Sequence, residues 1–538
     1  MINVLFETSE LQLEVQSLRD CIVKLTAQIA ELMNQNASQA DQIAKMDALN
    51  QYYEEQLRLA KRRQFGVSSE QLDAEERQQL SLFNEAEALA DKSLPEPELE
   101  EITYKRKKQK GKREQNLSGL PVERIEYELS PEERICPECG DTMDDIGVHI
   151  RRELKLQPAK VIVLEQAVHT YACRPCGQTG DHTPIVTAGA PQPLISGSLA
   201  SPSLVAHLMT QKYQNGLPLY RLEKGFQFDG VNISRQTMAN WIIHCAENFL
   251  LSVYLLLISC LLKEPVLHTD ETTYQVLREP NRAAQTKSYE WIYRTSGCAE
   301  HPIIIYDYKE TRNREHPEKF FKDFKGYLHT DGYDAYHGLS PDITIVGCWA
   351  HARRYWENLL KTIPKDKQAG SAAARGLTYI EKLFAFERAW KSLTPEERLE
   401  KRLDKSKPVA DAFFVWCASL NPLPKSLLGK AVYYALSQQK HLENVWLDGR
   451  LELSNNRCER SVKPFVMGRK AWLFAATPHG ATASSIVYSI IETAKENGLR
   501  PFQYMQFLLE TLPNTTTSGL EALLPWSDSL PDHCRAPA

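Results

Sequence analysis

Two short stretches, Pro265-Val-Leu-His-Thr-Asp270 and Gly326-Tyr-Leu-His-Thr-Asp331, decide how this chain folds. Each is a strand-like run that closes on the same tripeptide, His-Thr-Asp, and leaves a carboxylate at its C-terminal end. The pattern between and after them stays strand-like. Ser288-Tyr-Glu-Trp-Ile-Tyr-Arg294 alternates, and Pro302-Ile-Ile-Ile-Tyr-Asp307 is a run of the buried type. A helix is expected from about His316 to Phe324, and Ile343-Thr-Ile-Val-Gly-Cys348 is a fifth strand running into a helix at Ala350.

Three strands, a helix, a strand, then strand and helix is the order of an RNase H-like domain, where the first and fourth strands are parallel neighbours. The twin segments then bring Asp270 and Asp331 together at one sheet edge. Two adjacent aspartates repel, and a divalent cation is the usual compensation. A third carboxylate is wanted, and Glu459 is the candidate. It stands alone among Arg457, Arg460, Lys463, Arg469 and Lys470, a balance of +4 over residues 457 to 470. A lone acid in a basic helix fits a metal ligand facing a phosphate backbone. The plainer alternative is a capping box, in which Asn456 starts the helix and Glu459 satisfies it.

Towards the N-terminus, Leu11, Val15, Leu18, Ile22, Leu25, Ile29 and Leu32, then Ile43, Met46 and Leu57, repeat at spacings of four and three. That is a heptad seam, with Asn36, Gln39 and Asn50 as polar interruptions that fix register, and it predicts a homo-oligomer through a coiled coil. Cys136-Pro-Glu-Cys139-Gly140 and Cys173-Arg-Pro-Cys176-Gly177 are paired knuckles that suit one tetrahedral, structural Zn2+. Lys160-Val-Ile-Val-Leu-Glu165 between them reads as a strand, and His149 and His169 as bystanders. Residues 199 to 250 read as helices. Ser234 is an expected N-cap, and Arg235, Gln236 and Asn240 are residue types that read base edges from a helix-turn-helix. A plain helical hairpin fits the same pattern.

The net charge of -5 over 538 residues argues at first against a nucleic-acid partner. Residues 67 to 101, however, carry a local balance of -9, so the remainder sums to +4, and Lys105 to Arg113 hold seven positive charges without an acid. The composition, 42% hydrophobic and 25% charged, excludes a wholly disordered or fibrous chain. No secretory signal is visible, and the longest apolar run, Leu250 to Leu262, is too short for a membrane span. A cytoplasmic, soluble protein is the expectation, its cysteines reduced or metal-bound.

The zipper ending in AKRRQFGVSSEQL, the paired knuckles, HTDET, LHTDGYDAY, GCWAHARRYW, NNRCERSVKPFVMGRKAWLF and ETAKENGLRPFQYM occur in order along nearly the whole chain. Together they resemble the insertion sequence 66 family of bacterial transposases. The resemblance implies an Asp-Asp-Glu transposase that binds the terminal inverted repeats of an insertion sequence and joins them to target DNA, with small accessory transposition proteins as further partners. It implies Asp270, Asp331 and Glu459 as ligands of two Mg2+ ions about 3.5 to 4 Å apart, with the long interval before Glu459 filled by a helical insertion. Cys348-Trp-Ala-His351 resembles the C-x-x-H signature that several transposase families carry after the second aspartate, which implies that His351 contacts the scissile phosphate; a solvent-facing histidine at a helix start is the alternative. Arg353, Arg354 and the basic residues around Glu459 clamp phosphates, while Arg235 and Gln236 contact the repeats.

The expected organisation is a multidomain α/β chain: a coiled coil (1–66), an acidic then basic linker (67–125), a zinc-binding domain (126–182) and a helix-turn-helix-like region (190–255). The catalytic core (260–363 and 448–485) is interrupted by a helical insertion (364–447) and followed by a C-terminal segment (486–538). The competing readings are an RNase H-like nuclease without strand transfer and a catalytically silent DNA-binding regulator.

Overall fold

Residues 2–65, 160–172, 185–515 and 517–537 are described by the computed structural model. The heptad segment forms one helix, Ile2–Phe65. Along it Leu18, Ile22, Leu25, Ile29, Leu32, Ile43, Met46 and Leu57 are all exposed in the single chain. The linker and the four cysteines Cys136, Cys139, Cys173 and Cys176 lie outside the described residues, as does His149. A short antiparallel pair, β1 (Thr170–Ala172) and β2 (Ile185–Thr187), flanks the second knuckle. The strand expected at Lys160–Glu165 is not there: these residues are irregular, and Ile162 and Val163 stand in solvent without a partner strand among the described residues.

The helical region begins with Pro202–Met209 and Leu219–Phe228. Ser234 then caps Arg235–Cys245 through its hydroxyl, which accepts the Thr237 N–H at 3.1 Å. That helix continues through a wider turn at Ala246–Leu250 into Leu251–Leu261. By length and composition, Arg235–Leu261 is apolar enough to cross a membrane. Its buried side chains, among them Ile242, Cys245, Leu250, Val253, Leu257 and Leu261, belong to the core that also holds the sheet.

That sheet has five strands: β3 (Val266–Gln275), β4 (Lys287–Thr295), β5 (Ile304–Lys309), β6 (Gly326–His329) and β7 (Ile343–Val346). Their order is β5-β4-β3-β6-β7. The first three pair antiparallel, while β3 with β6 and β6 with β7 are parallel. β3 does not end at its carboxylate as the sequence reading had it. It runs five residues further, because residues 271–275 go on pairing with β4 after the pairing to β6 has stopped. The edge strand β5 is closed by helix Pro478–Glu496. Ser489 and Thr493 accept the N–H groups of Tyr306 and Ile304 at 2.8 and 3.0 Å, so side chains one turn apart stand in for a sixth strand. This helix passes without a break through residue 485, so the boundary expected there falls inside an element, as does the one at 255.

From Trp349–Leu360 onward a second core forms. Ala372–Ala389, Lys407–Ser419 and Leu427–Ser437 pack with it around Trp349, Trp356, Phe413 and Trp416, while the short helix Pro395–Lys401 buries no side chain. Thr394 opens its helix with a complete capping box and a proline in the first turn, as its sequence implies. Gly376 is buried against Trp356; a Cβ there would lie 2.4 Å from a ring carbon. Helix propensity alone favours Ala over Gly by about 1 kcal/mol, but overpacking a core costs about 1–3 kcal/mol. Gly376→Ala is therefore expected to lower the melting temperature, measured by scanning calorimetry, whereas relief of helix strain alone would raise it.

Candidate active site

The register of β3 on β6 pairs His268 with His329, so Asp270 and Asp331 each lie two residues beyond a matched pair. Both carboxylates line one cleft of about 690 Å³, together with Glu271, Glu459, His351, Arg312 and Arg354. Glu459 comes from the first turn of helix Asn456–Trp472 and is 5% exposed. The capping-box alternative does not describe it. Asn455 holds the cap position, and the Glu459 carboxylate turns instead to His351 Nδ1 (3.5 Å) and Arg354 Nη2 (3.6 Å).

Asn455 joins the two carboxylate-bearing elements. Its side-chain Nδ2 donates to the Thr269 carbonyl at 2.8 Å, the residue before Asp270. Its Oδ1 is thereby left as acceptor for His268 Nδ1–H at 2.9 Å. Its own carbonyl accepts the N–H groups of Cys458 and Glu459 at 2.9 and 3.2 Å. Behind the site the rings of His268 and His329 stack with centroids 4.3 Å apart, both fully buried. Burial holds His268 down at about 3, and burial followed by the neighbouring His268 holds His329 well below the usual histidine range. Both rings are neutral at physiological pH.

The electrostatics of the cleft are lopsided. Burial first, then the charges of Glu271, Asp331 and Glu459, push the Asp270 carboxyl well above the ordinary range. Glu271 rises to about 7 through burial and Asp331, against the lowering effect of Arg312 and of a Tyr336 hydroxyl bond. Arg312 is the ion-pair partner of Glu271 and stacks on Tyr333, 3.7 Å from its ring centre. The cleft is lined by Asp270, Glu271, Asp331, Asp334 and Glu459 against Arg312, Arg354 and Lys430, a formal excess of two negative charges. Glu459 Oε1 is buried without a hydrogen-bond partner among the described residues, and so is His351 Nδ1. Crowded carboxylates with an orphaned oxygen fit a divalent cation held by oxygen ligands.

His351 is neutral: burial and then Arg354 lower it, against Glu459 and Asp331. The Arg354 guanidinium can only donate, so its 3.1 Å contact makes His351 Nε2 the acceptor and places the ring proton on Nδ1, towards Glu459. Cys348, His351 and Glu459 also offer ligand atoms within 4.8 Å of one another. Burial pushes the Cys348 thiol to about 12, so in this group the thiol stays protonated.

The remaining residues picked from the sequence lie elsewhere. Arg353 turns away to Glu357 and Glu381, at 2.9 and 3.0 Å. Arg457 pairs with Glu452 at 2.6 Å, and Arg469 binds the Thr273 backbone and hydroxyl, holding β3 to its helix. Arg460, Lys463 and Lys470 are exposed, and none of the five basic residues of this helix lines the cleft. Arg235 and Gln236 are exposed at the start of their helix, Gln236 donating to Asn240 at 3.0 Å. Sequence reasoning missed Glu271, Arg312 and Asn455, although Glu271 adjoins Asp270 and Asn455 sits in the motif around Glu459. It also missed Lys430, Tyr433 and Tyr434, which line the cleft from the inserted helices.

Fold and site together define a multidomain α/β protein with an acidic cleft. The comparisons with known proteins carry this to a family: the chain belongs to the transposase IS66 family, which it matches over residues 197–483, with the IS66 C-terminal element over 489–526. Residues 133–177, containing all four knuckle cysteines, match the zinc-finger binding domain of transposase IS66, and 52–125 match a segment described as transposase C of IS166 homeodomain. Among similar proteins are three from Sinorhizobium fredii, each described as uncharacterized. Protein y4qI is 29% identical over 96% of this chain and 97% of its own length. Protein y4jD is 28% identical over 77% and 82%, and y4hP 26% identical over 73% of each.

Asn455→Ala would orphan the Thr269 carbonyl and the His268 N–H, at roughly 1–3 kcal/mol for each buried group. The expected result is a clear fall in denaturant midpoint with the slope unchanged; an unaltered midpoint would show that Asn455 does not hold the two elements together.

Proposed function

We propose that this chain is a DNA transposase that binds the ends of a bacterial insertion sequence and catalyses Mg2+-dependent cleavage and strand transfer through Asp270, Asp331 and Glu459. The observation that carries the reading is the convergence of these three carboxylates, from two parallel strands and a distant helix, in one cleft with excess negative charge. The assigned core is RNase H-like, supported by the order β5-β4-β3-β6-β7 with its parallel β3–β6 pair.

Asp270, Asp331 and Glu459 hold the ions. Bound Mg2+ supplies neutralisation of the developing phosphate charge and a more acidic water. Arg354, beside Glu459, takes charge on the reacting phosphate. The neutral His351 points its Nδ1–H into the same space and orients a phosphate oxygen. Glu271, engaged by Arg312 and Tyr336, shapes the strand next to Asp270 and does not act as a ligand. No side-chain nucleophile is assigned, because water and then a 3'-hydroxyl serve as attacking groups.

The other parts have roles in assembly. The four cysteines take one structural Zn2+. The exposed Arg235 and Gln236 meet the repeats, and Arg460, Lys463 and Lys470 meet duplex phosphates outside the cleft. The exposed seam of helix Ile2–Phe65 pairs with a second copy, so that both ends are processed in one cytoplasmic, nucleoid-bound assembly.

The decisive experiment is Mg2+-dependent cleavage and joining on DNA carrying the native ends. Asp270→Asn, Asp331→Asn and Glu459→Gln should each reduce cleavage by more than the roughly 10–100-fold typical of losing a residue that only supports a ligand, while end binding in gel shift persists. Cleavage without joined products by the unaltered protein would reduce the activity to that of a nuclease. In sedimentation velocity, removal of residues 1–62 should yield a monomer, and an unchanged oligomer would place the interface elsewhere.

A further inference from the structure

Helix Leu427–Ser437, from the inserted helical unit, forms one wall of the cleft. It is seated directly on the second aspartate. The Tyr434 hydroxyl donates to the Asp331 carbonyl at 2.9 Å, and the Tyr434 ring stacks on Tyr355 with centroids 4.8 Å apart. Gly332, with φ +92°, lets the backbone turn beneath it; a Cβ there would press on Gln438 and Tyr434 at 3.2 Å. One residue before this anchor, Tyr433 lines the same cleft but is 74% exposed, with the exposed Lys430 nearly one turn earlier. From the sheet side, Tyr289, Tyr333 and its stacked Arg312 line the cleft as well.

A ring left in water above a carboxylate floor adds little to the stability of its own fold. Its flat face can take a base, and every base has one. The wall offers a partner for each part of a nucleotide. The exposed Tyr433 ring presents its face beside the carboxylates, and the exposed Lys430 on the same helix stands ready for the adjoining phosphate. We propose that Tyr433 and Lys430 form a nucleotide subsite that stacks one unpaired base of the DNA end beside the phosphate to be cut. This rests on the transposase reading above and adds to it a second contact, supplied by the insertion.

The test uses the full-length protein, with end DNA carrying 2-aminopurine next to the cleavage position. Binding by the unaltered protein should change the probe's fluorescence, binding by Tyr433→Ala should not, and Tyr433→Phe, which keeps the ring, should recover the change. In cleavage, Tyr433→Ala should lose roughly ten- to hundredfold on fully paired ends, as the loss of one base–aromatic stack implies. A mismatch at that base pair should restore part of this loss, since unpairing no longer opposes the reaction. An unchanged melting temperature for Tyr433→Ala separates the effect from misfolding. No fluorescence change with the unaltered protein bound, or equal impairment of Tyr433→Ala on paired and mismatched ends, would overturn the subsite. Failure of the unaltered protein to cleave in Mg2+ would count against the transposase reading instead, and the fluorescence arm would still decide the subsite.

Discussion

The structure is organised around a repulsion. Asp270, Glu271, Asp331 and Glu459 line one cleft, burial already works against ionisation of the first two, and Arg312, Arg354 and Lys430 are the basic side chains that oppose them in its walls. Two unit charges 4 Å apart interact by about 4 kcal/mol at the effective dielectric typical of protein surfaces. No local preference of strand or helix is large enough to hold such groups together. The positions have to be imposed by the surrounding fold.

The imposition is visible just behind the carboxylates. Pairing of His268 with His329 in the β3–β6 register puts two rings face to face, and being neutral they pack as flat apolar plates. His329 Nε2 accepts the Glu452 N–H at 3.2 Å and His268 Nδ1 donates to Asn455, so each ring also fixes part of the returning segment 452–455. Asn455 then spans from the Thr269 carbonyl to the first turn of the helix that carries Glu459. The repeated His-Thr-Asp tripeptide thus has two functions. Its aspartates face the cleft, and its histidines secure the third carboxylate.

This division explains what could be read from the sequence. The twin segments were legible because strand pairing is local in pattern: a short apolar run closing on a carboxylate, repeated, leaves little choice of register. The cap at Ser234 was legible for the same reason, since cap chemistry acts within one turn. The partners of Arg353, Arg457 and Arg469 were not. A basic residue reads as a phosphate contact until the fold reveals Glu381, Glu452 or the Thr273 carbonyl beside it, each outside the helix that carries it. Glu271 was overlooked because it lies one residue from Asp270 in a strand, where alternate residues are expected to face opposite sides. Its carboxylate nonetheless lines the same cleft, held there by Arg312 and Tyr336.

The helical insertion is the element whose meaning changes most. From sequence it is residues 364–447, part of the long interval between Asp331 and Glu459, with no evident claim on the chemistry. In the fold it is a support. Arg402, fully buried, is gripped by both Glu387 oxygens at 2.7 Å and donates onward to the Leu451 carbonyl at 2.8 Å and the Asp448 carbonyl at 3.3 Å. Those carbonyls belong to the segment that leads into Glu452 and Asn455. Removing one partner of a buried pair costs far more than an exposed pair contributes, so this guanidinium ties the position of the returning chain to the integrity of the insertion's core. Trp349, at the start of the helix bearing His351, is tied to the same segment through its N–H to the Leu453 carbonyl at 3.0 Å. The insertion therefore sets the place of the third carboxylate from behind while Tyr434 holds the second from the front, and an alteration deep in its helices should be felt at Glu459 before it is felt at Asp270.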